Sequence, residues 1–280
     1  MEPVSHYVTY LSPSGRTRQV AGAIEGALRA RGCEVQTLDL GGEGRGVEPA
    51  EWVSGAGGPV CVWVGSPVYA QHPVPPVLHF IEGLPVVSRG YAVPFVTWGT
   101  VCSGLALWDL GCGLSARGYG LVGAAAVPAM HCTFWNSAEP LGAGRPHAAD
   151  LVQVESLVTA VLGKLEDGGP LLEPEILDYQ PPETRALAEA ASLARAKARM
   201  PPRRAIEERC TQCSACEAAC PVGAVTLDPY PVFGTTCVLC NECVRACPED
   251  AIPFDAEATM TRIRGLQTKF GETTAPRVFQ

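Results

Sequence analysis

Eight of the chain's thirteen cysteines lie between Cys210 and Cys247, in two copies of one pattern, C-x2-C-x2-C-x3-C-P. Shifted by 27 residues, CTQCSACEAACPVGAVTL overlies CVLCNECVRACPEDAIPF. All four cysteines coincide, as do Pro221 with Pro248, Ala224 with Ala251, and Val225 with Ile252. Such a duplication predicts two loops related by a pseudo-twofold axis. Zinc is usually held by pairs of cysteines far apart in sequence that close on one tetrahedral ion. Here three close-set cysteines each face a larger object, and the fourth, followed by proline, turns away from it. Disulfides fit less well. The chain has 280 residues, 47% of them hydrophobic, and can bury a core without covalent staples. Its start, MEPVSHYVTYLS, lacks the basic residues and long apolar run of a secretory signal, so reduced thiols in a cytoplasmic setting are expected. Two zinc sites or a disulfide framework are the competing readings of the same cysteines.

The run resembles that of the two-cluster bacterial ferredoxins, over about 50 residues, in which the fourth cysteine ligates the other cluster. The resemblance implies two 4Fe–4S clusters. Cluster I would rest on Cys210, Cys213, Cys216 and Cys247, and cluster II on Cys237, Cys240, Cys243 and Cys220.

The first 165 residues follow different rules, and their five cysteines are scattered. HYVTYLS (6–12) is a β-rich run. In the stretch that follows, Val20, Ile24 and Leu28 share one helical face up to a stop at Gly32. EVQTLDL (34–40) reads as a second strand, and residues 41–58 as a loop rich in Gly and Glu. PVCVWVGSP (59–67) is apolar nearly throughout, as expected of a strand buried on both faces. PPVLHFIEG is a short helix and YAVPFVTWG a fourth strand. A helix over 104–117, a fifth strand GLVGAAAV and a helix over 147–165 complete the unit. Strands joined by helical crossovers predict a parallel, three-layer α/β sheet. Residues 166–204 read as a linker containing an Ala-rich helix (183–199), 205–255 as a small α+β domain, and 256–280 as a tail without clear signal.

The turn after the first strand, LSPSGRTRQVA, sets small hydroxyl residues around Gly15 at a helix start, where backbone N–H groups favour an anion. It has neither the lysine of a nucleotide-hydrolysing loop nor the three glycines of a dinucleotide fingerprint. It resembles the flavodoxin phosphate loop: Ser12, Pro13, Ser14, Gly15, Arg16, Thr17. GSPVYAQHPVPP after the third strand and TWGTVCSG after the fourth stand where that family binds its ring system. The resemblance implies an α/β, flavodoxin-like five-stranded parallel sheet of order 2-1-3-4-5 that carries FMN. The phosphate would lie on residues 12–17. The isoalloxazine would lie against Ser66, Pro67, Val68 and Tyr69 and against Trp98, Gly99, Thr100, Ser103 and Gly104, with Tyr69 and Trp98 as candidate stacking rings. PVYAQ lacks the glycine that family members often place there to favour the one-electron-reduced flavin. His131, after the fifth strand, is a candidate proton donor, and Cys102 lies in a loop expected to face the flavin.

The whole resembles the flavodoxin–ferredoxin fusion proteins of anaerobic bacteria and archaea. That resemblance implies an electron-transfer protein that couples one-electron clusters to a one- or two-electron flavin and serves a redox partner protein. Alternatives are an FMN-dependent reductase of a small-molecule acceptor fed by the clusters, and a cluster-only redox sensor without FMN. A net charge of −8 argues against nucleic acid. No apolar run reaches a membrane-spanning length, and a homodimer is left open.

Overall fold

The computed structural model describes residues 4–53 and 58–280. The elements of the large unit are β1 (Ser5–Tyr10), α1 (Arg16–Arg29), β2 (Val35–Asp39), α2 (Pro49–Val53), β3 (Val60–Tyr69), β4 (His72–Pro73), α3 (Pro75–Gly83), β5 (Gly90–Trp98), α4 (Ala106–Ala116), β6 (Tyr119–Leu121), β7 (Ala124–Pro128) and α5 (Ala148–Asp167). Parallel pairings run β2–β1–β3–β5–β7. Renumbered over these five strands, that is the order 2-1-3-4-5, the flavodoxin-like doubly wound sheet.

Alternation along β3 shows why the sheet is three layers thick. Val62 and Val64 pack with Tyr7, Val96, Trp98 and the apolar faces of α3 and α4. Cys61 and Trp63 point the other way, into a layer with Val8, Phe95, α1 and α5. A strand with both faces covered has no polar side to show, hence its nearly unbroken apolar run.

The linker and small unit contain α6 (Pro182–Glu189), α7 (Leu193–Ala198), α8 (Ala215–Ala218), β8 (Val225–Leu227), β9 (Pro231–Phe233) and α9 (Glu242–Arg245). They are followed by α10 (Ala256–Phe270) and β10 (Arg277–Phe279). The Ala-rich stretch expected as one helix is two. Ser192 takes an extended conformation and its side chain accepts the Arg195 amide, which starts α7 afresh. The expected fifth strand is likewise split into β6 and β7. The expected loop 41–58 contains α2, while its residues 54–57 lie outside the described residues.

The tail differs most from expectation. α10 packs near residues 132–134, and β10 adds an antiparallel edge strand to β7 through Arg277–Ala126, Val278–Ala125 and Phe279–Ala124. The end of the chain thus completes the sheet that its beginning started.

Candidate functional site

The duplication is visible in the backbone of the small unit. Gln212 and Ser214 have φ of 56° and 59°, and their counterparts 27 residues on, Leu239 and Asn241, have 61° and 66°. Positive φ is uncommon for residues with a Cβ. Its recurrence in both copies gives the two loops the same turn, a kind of turn in which successive N–H groups can form a concave receptor for anions and sulfur clusters. Cys220 Sγ accepts the Ala224 amide at 3.1 Å, and Cys247 Sγ accepts that of Ala251 at 3.2 Å. These two thiols are equivalent under the same repeat.

Cys210, Cys213, Cys216 and Cys247 line one cavity of about 320 Å³ including its mouth, with Leu227, Pro231, Glu249 and Ile252 among its other walls. Three of these residues come from the first copy and the fourth from the second. Among the described residues, no three His, Cys, Asp or Glu side chains close tightly on a single ion. In the second copy, Arg203 Nη1 donates to Cys243 Sγ at 3.1 Å and its Nη2 to Asn241 Oδ1 at 2.6 Å. Cys216, the counterpart of Cys243, has no guanidinium beside it among the described residues.

At the C-terminal ends of the parallel strands, a cavity of about 350 Å³ is bounded by Ser14, Arg16, Pro67, Val68, Tyr69, Trp98, Gly99 and His131. Thr97, Ala129, Met130 and Cys132 complete the lining and were not singled out from the sequence. Three of those four flank His131 at the end of β7, a neighbourhood that would have signalled them. Gly15 takes φ 78°, a left-handed turn into α1 that a side chain would oppose. The Ser12 hydroxyl accepts the Arg18 amide at 2.9 Å, and the Thr17 hydroxyl meets that of Thr97 at 2.8 Å. Gly15 at the N-cap has no side chain to cap α1, and of the opening amides that of Arg18 is taken by Ser12. Arg16 forms no ion pair among the described residues, and its buried Nε has no hydrogen-bond partner. A helix start beside a guanidinium that, among the described residues, makes no ion pair, and whose Nη2 reaches only Met130 Sδ at 3.8 Å, fits a phosphate.

The remaining predicted residues serve the frame. Ser66 Oγ accepts the Val74 amide at 3.0 Å and pins the loop after β3. Thr100 takes φ 57°, and its carbonyl accepts Gln267 Nε2 of α10 at 3.1 Å. Ser103 donates from N and Oγ to Glu272 at 2.7 and 2.6 Å, and its Oγ also meets Tyr179 and Gln180. Neither Ser103 nor Gly104 lines the cavity. Burial, then the Glu272 carboxylate, pushes the Cys102 thiol up to about 12, so it stays protonated.

His131 lies against Gly99: a Cβ there would come within 2.6 Å of its Cδ2. Its Nδ1 accepts the Thr133 amide at 3.2 Å, which leaves the proton on Nε2. Burial lowers it from 6.5 to about 4, so it is a neutral imidazole near pH 7. Tyr69 is pushed well above 10 by burial and is a neighbour of Cys132 and of Cys240. Cys240 in turn lies close enough to Cys132 for their charges to couple. The ring expected at the flavin and a cysteine of the second loop thus lie in one neighbourhood with Cys132.

Residues 209–252 match the family model described as a 4Fe–4S dicluster domain. No curated protein matches the chain. Among solved structures it is similar to the rubredoxin:oxygen oxidoreductase of Desulfovibrio gigas, at 19% identity and TM-score 0.46 over 59% of this chain and 37% of that one. It is also similar to a flavodoxin from the domain Archaea, at 18% identity and TM-score 0.44 over 58% of this chain and 99% of that one. The oxidised flavodoxin 2 of Bacillus cereus gives 18% identity and TM-score 0.41 over 57% of this chain and 99% of that one. The chain thus spans little more than a third of the first of these. Strand order and the matched cysteine domain together define the class: a flavodoxin-like α/β unit joined to a dicluster-type 4Fe–4S unit. No described helix is long and apolar enough to cross a membrane.

Proposed function

We propose that the chain is a flavo-iron–sulfur electron carrier that holds one FMN and two 4Fe–4S clusters and exchanges electrons with a redox partner protein. The observation that carries the reading is the set of cysteines around one cavity. Cys247 joins Cys210, Cys213 and Cys216 from 31 residues away. Cys220 is then left to the second loop with Cys237, Cys240 and Cys243. When bound, FMN supplies exchange of one or two electrons and each cluster exchange of one, a conversion that fusion into one chain brings to high effective concentration.

The chain's own residues set the conditions. The amides of the α1 start and Arg16 hold the phosphate. Tyr69, Val68 and Trp98 wall the ring and keep water from it. Neutral His131 presents an Nε2–H hydrogen bond to the ring edge in place of a transferable proton, because at a pKa of about 4 it carries no extra proton near neutrality. Cys132 and Tyr69 fill the gap toward Cys240, so the second cluster is the one nearer the flavin.

Anaerobic purification with iron, sulfide and flavin counted per chain tests the reading, with about eight iron and one FMN expected. Cys210→Ala and Cys247→Ala are expected to remove the same electron paramagnetic resonance signal, and Cys220→Ala the other. Two zinc ions and no sulfide, or loss of a common signal from Cys210→Ala and Cys220→Ala, would overturn it.

A further inference from the structure

A second, larger cavity lies beside the flavin-loop cavity. It measures about 1470 Å³ with its mouth included, and it is closed by the linker around 187–200, the second cysteine loop at 238–241 and one face of α10. Val68, Tyr69, His131 and Cys132 line both spaces, so the two are neighbours that share a wall. Even after the mouth is discounted, the volume suits an organic molecule, since ligand pockets run to about 300–1,000 Å³.

Its chemistry runs against that of the whole protein. The chain carries 29 Asp and Glu against 21 Lys and Arg. The cavity is nevertheless lined by Arg195, Arg199, Arg262 and Lys269 and, among the described residues, by no carboxylate. None of the four cations appears in an ion pair among the described residues. Nearby carboxylates are already engaged: Glu242 pairs with Arg245 at 3.5 Å, Glu272 is held by Ser103 and Gln180, and Asp255 caps α10 through the Ala258 amide. Arg195 and Arg199 stand four apart along and just past α7, while Arg262 and Lys269 are seven apart on α10, so each pair shares one side of its helix. Between these cationic rims the walls are apolar, formed by Val238, Phe254, Ile263, Leu266 and Phe270.

We propose that this cavity binds a small organic anion with an apolar body, of the alkyl or aryl carboxylate class. The carboxylate would sit at the Arg199–Arg262 rim and the body would lie against Val238, Phe254 and Ile263, beside Tyr69 and His131. The binding stands on the cavity itself; only its place next to a flavin rests on the function proposed above.

Isothermal titration of the anaerobically purified holoprotein with octanoate, 1-octanol and octylamine tests it, with flavin and iron counted on the same sample. Octanoate is expected to saturate at one per chain and to weaken with rising salt, while the alcohol and amine bind at least tenfold more weakly. Arg199→Ala and Arg262→Ala are each expected to weaken octanoate about tenfold, and Arg262→Lys to recover part of the loss. Both arginines are solvent-exposed, so folding should survive the change, and unaltered iron content checks that. Equal affinity for the alcohol or amine overturns the proposal, as does octanoate affinity unmoved in both alanine variants. Preferential binding of an oligoglutamate peptide would overturn it in favour of an acidic protein surface. A preparation without flavin that still binds octanoate would sink the carrier reading and leave this one standing.

Discussion

Arg203 is expected to make the two proposed clusters unequal. It donates to Cys243 Sγ at 3.1 Å, whereas the repeat-related Cys216 has no such donor. A hydrogen bond from a cation contributes about 1.5–3 kcal/mol. An electron added to the cluster makes its thiolates better acceptors, so part of that energy belongs to the reduced state alone. If half does, removing the donor lowers the potential of the second cluster by about 30–65 mV, since 59 mV corresponds to about 1.4 kcal/mol for one electron. Arg203→Ala should therefore shift one of two waves downward in a redox titration followed by electron paramagnetic resonance. Arg203→Lys should keep part of the difference by retaining the charge without the paired geometry. The alanine variant also strands the buried Asn241 Oδ1, which Arg203 Nη2 now reaches at 2.6 Å. A stability loss of about 1–3 kcal/mol should accompany it. Equal shifts of both waves, or an upward shift, would refute the reasoning.

Two further outcomes follow from local geometry. Gly99→Ala puts a Cβ within 2.6 Å of the His131 ring. It should displace that ring, destabilise the protein by about 1–3 kcal/mol and weaken FMN, read by quenching of flavin fluorescence; unchanged FMN affinity would exclude His131 from the ring edge. Acidification should destabilise the protein between about pH 7 and 4. His6, which accepts Trp63 Nε1 at 3.2 Å, and His131 are both held down to about 4 by burial against 6.5 unfolded. In that window the unfolded chain binds protons that the native one does not, at up to about 3 kcal/mol for each group. His72, raised by its bond to Asp109, acts with the opposite sign, its contribution being lost as pH climbs through its raised value. Urea midpoints at pH 5 and 7 should converge in His6→Gln, and an unchanged difference would refute the assignment.

The parallel sheet was legible because burial on two faces writes itself into residues 59–67 as a nearly unbroken apolar run, and because Val20, Ile24 and Leu28 mark a helix by period. The cysteine repeat was legible because its spacing is rigid. The tail was not. In α10 the apolar Ile263, Leu266 and Phe270 are interleaved with Arg and Thr, and they find a purpose only against a cavity assembled from three distant segments. β10 is three residues long and pairs through its backbone, which carries no residue signature. The same distance hid the engagement of Ser103. Its loop matches the cofactor loops in sequence, but its hydroxyl and amide go to Glu272, 169 residues away.

The pairing of β10 with β7, secured by Glu272 on Ser103, gives the cysteine-bearing unit an anchorage on both sides. It is spliced into the sheet-forming chain like a bridge span resting on two piers. A module hung from one linker can swing out to meet a partner. One moored at both ends is held to a narrower range of spacings between Cys240 and Tyr69. Removing residues 272–280 would turn the span into a hinge and widen the range of spacings between the two units.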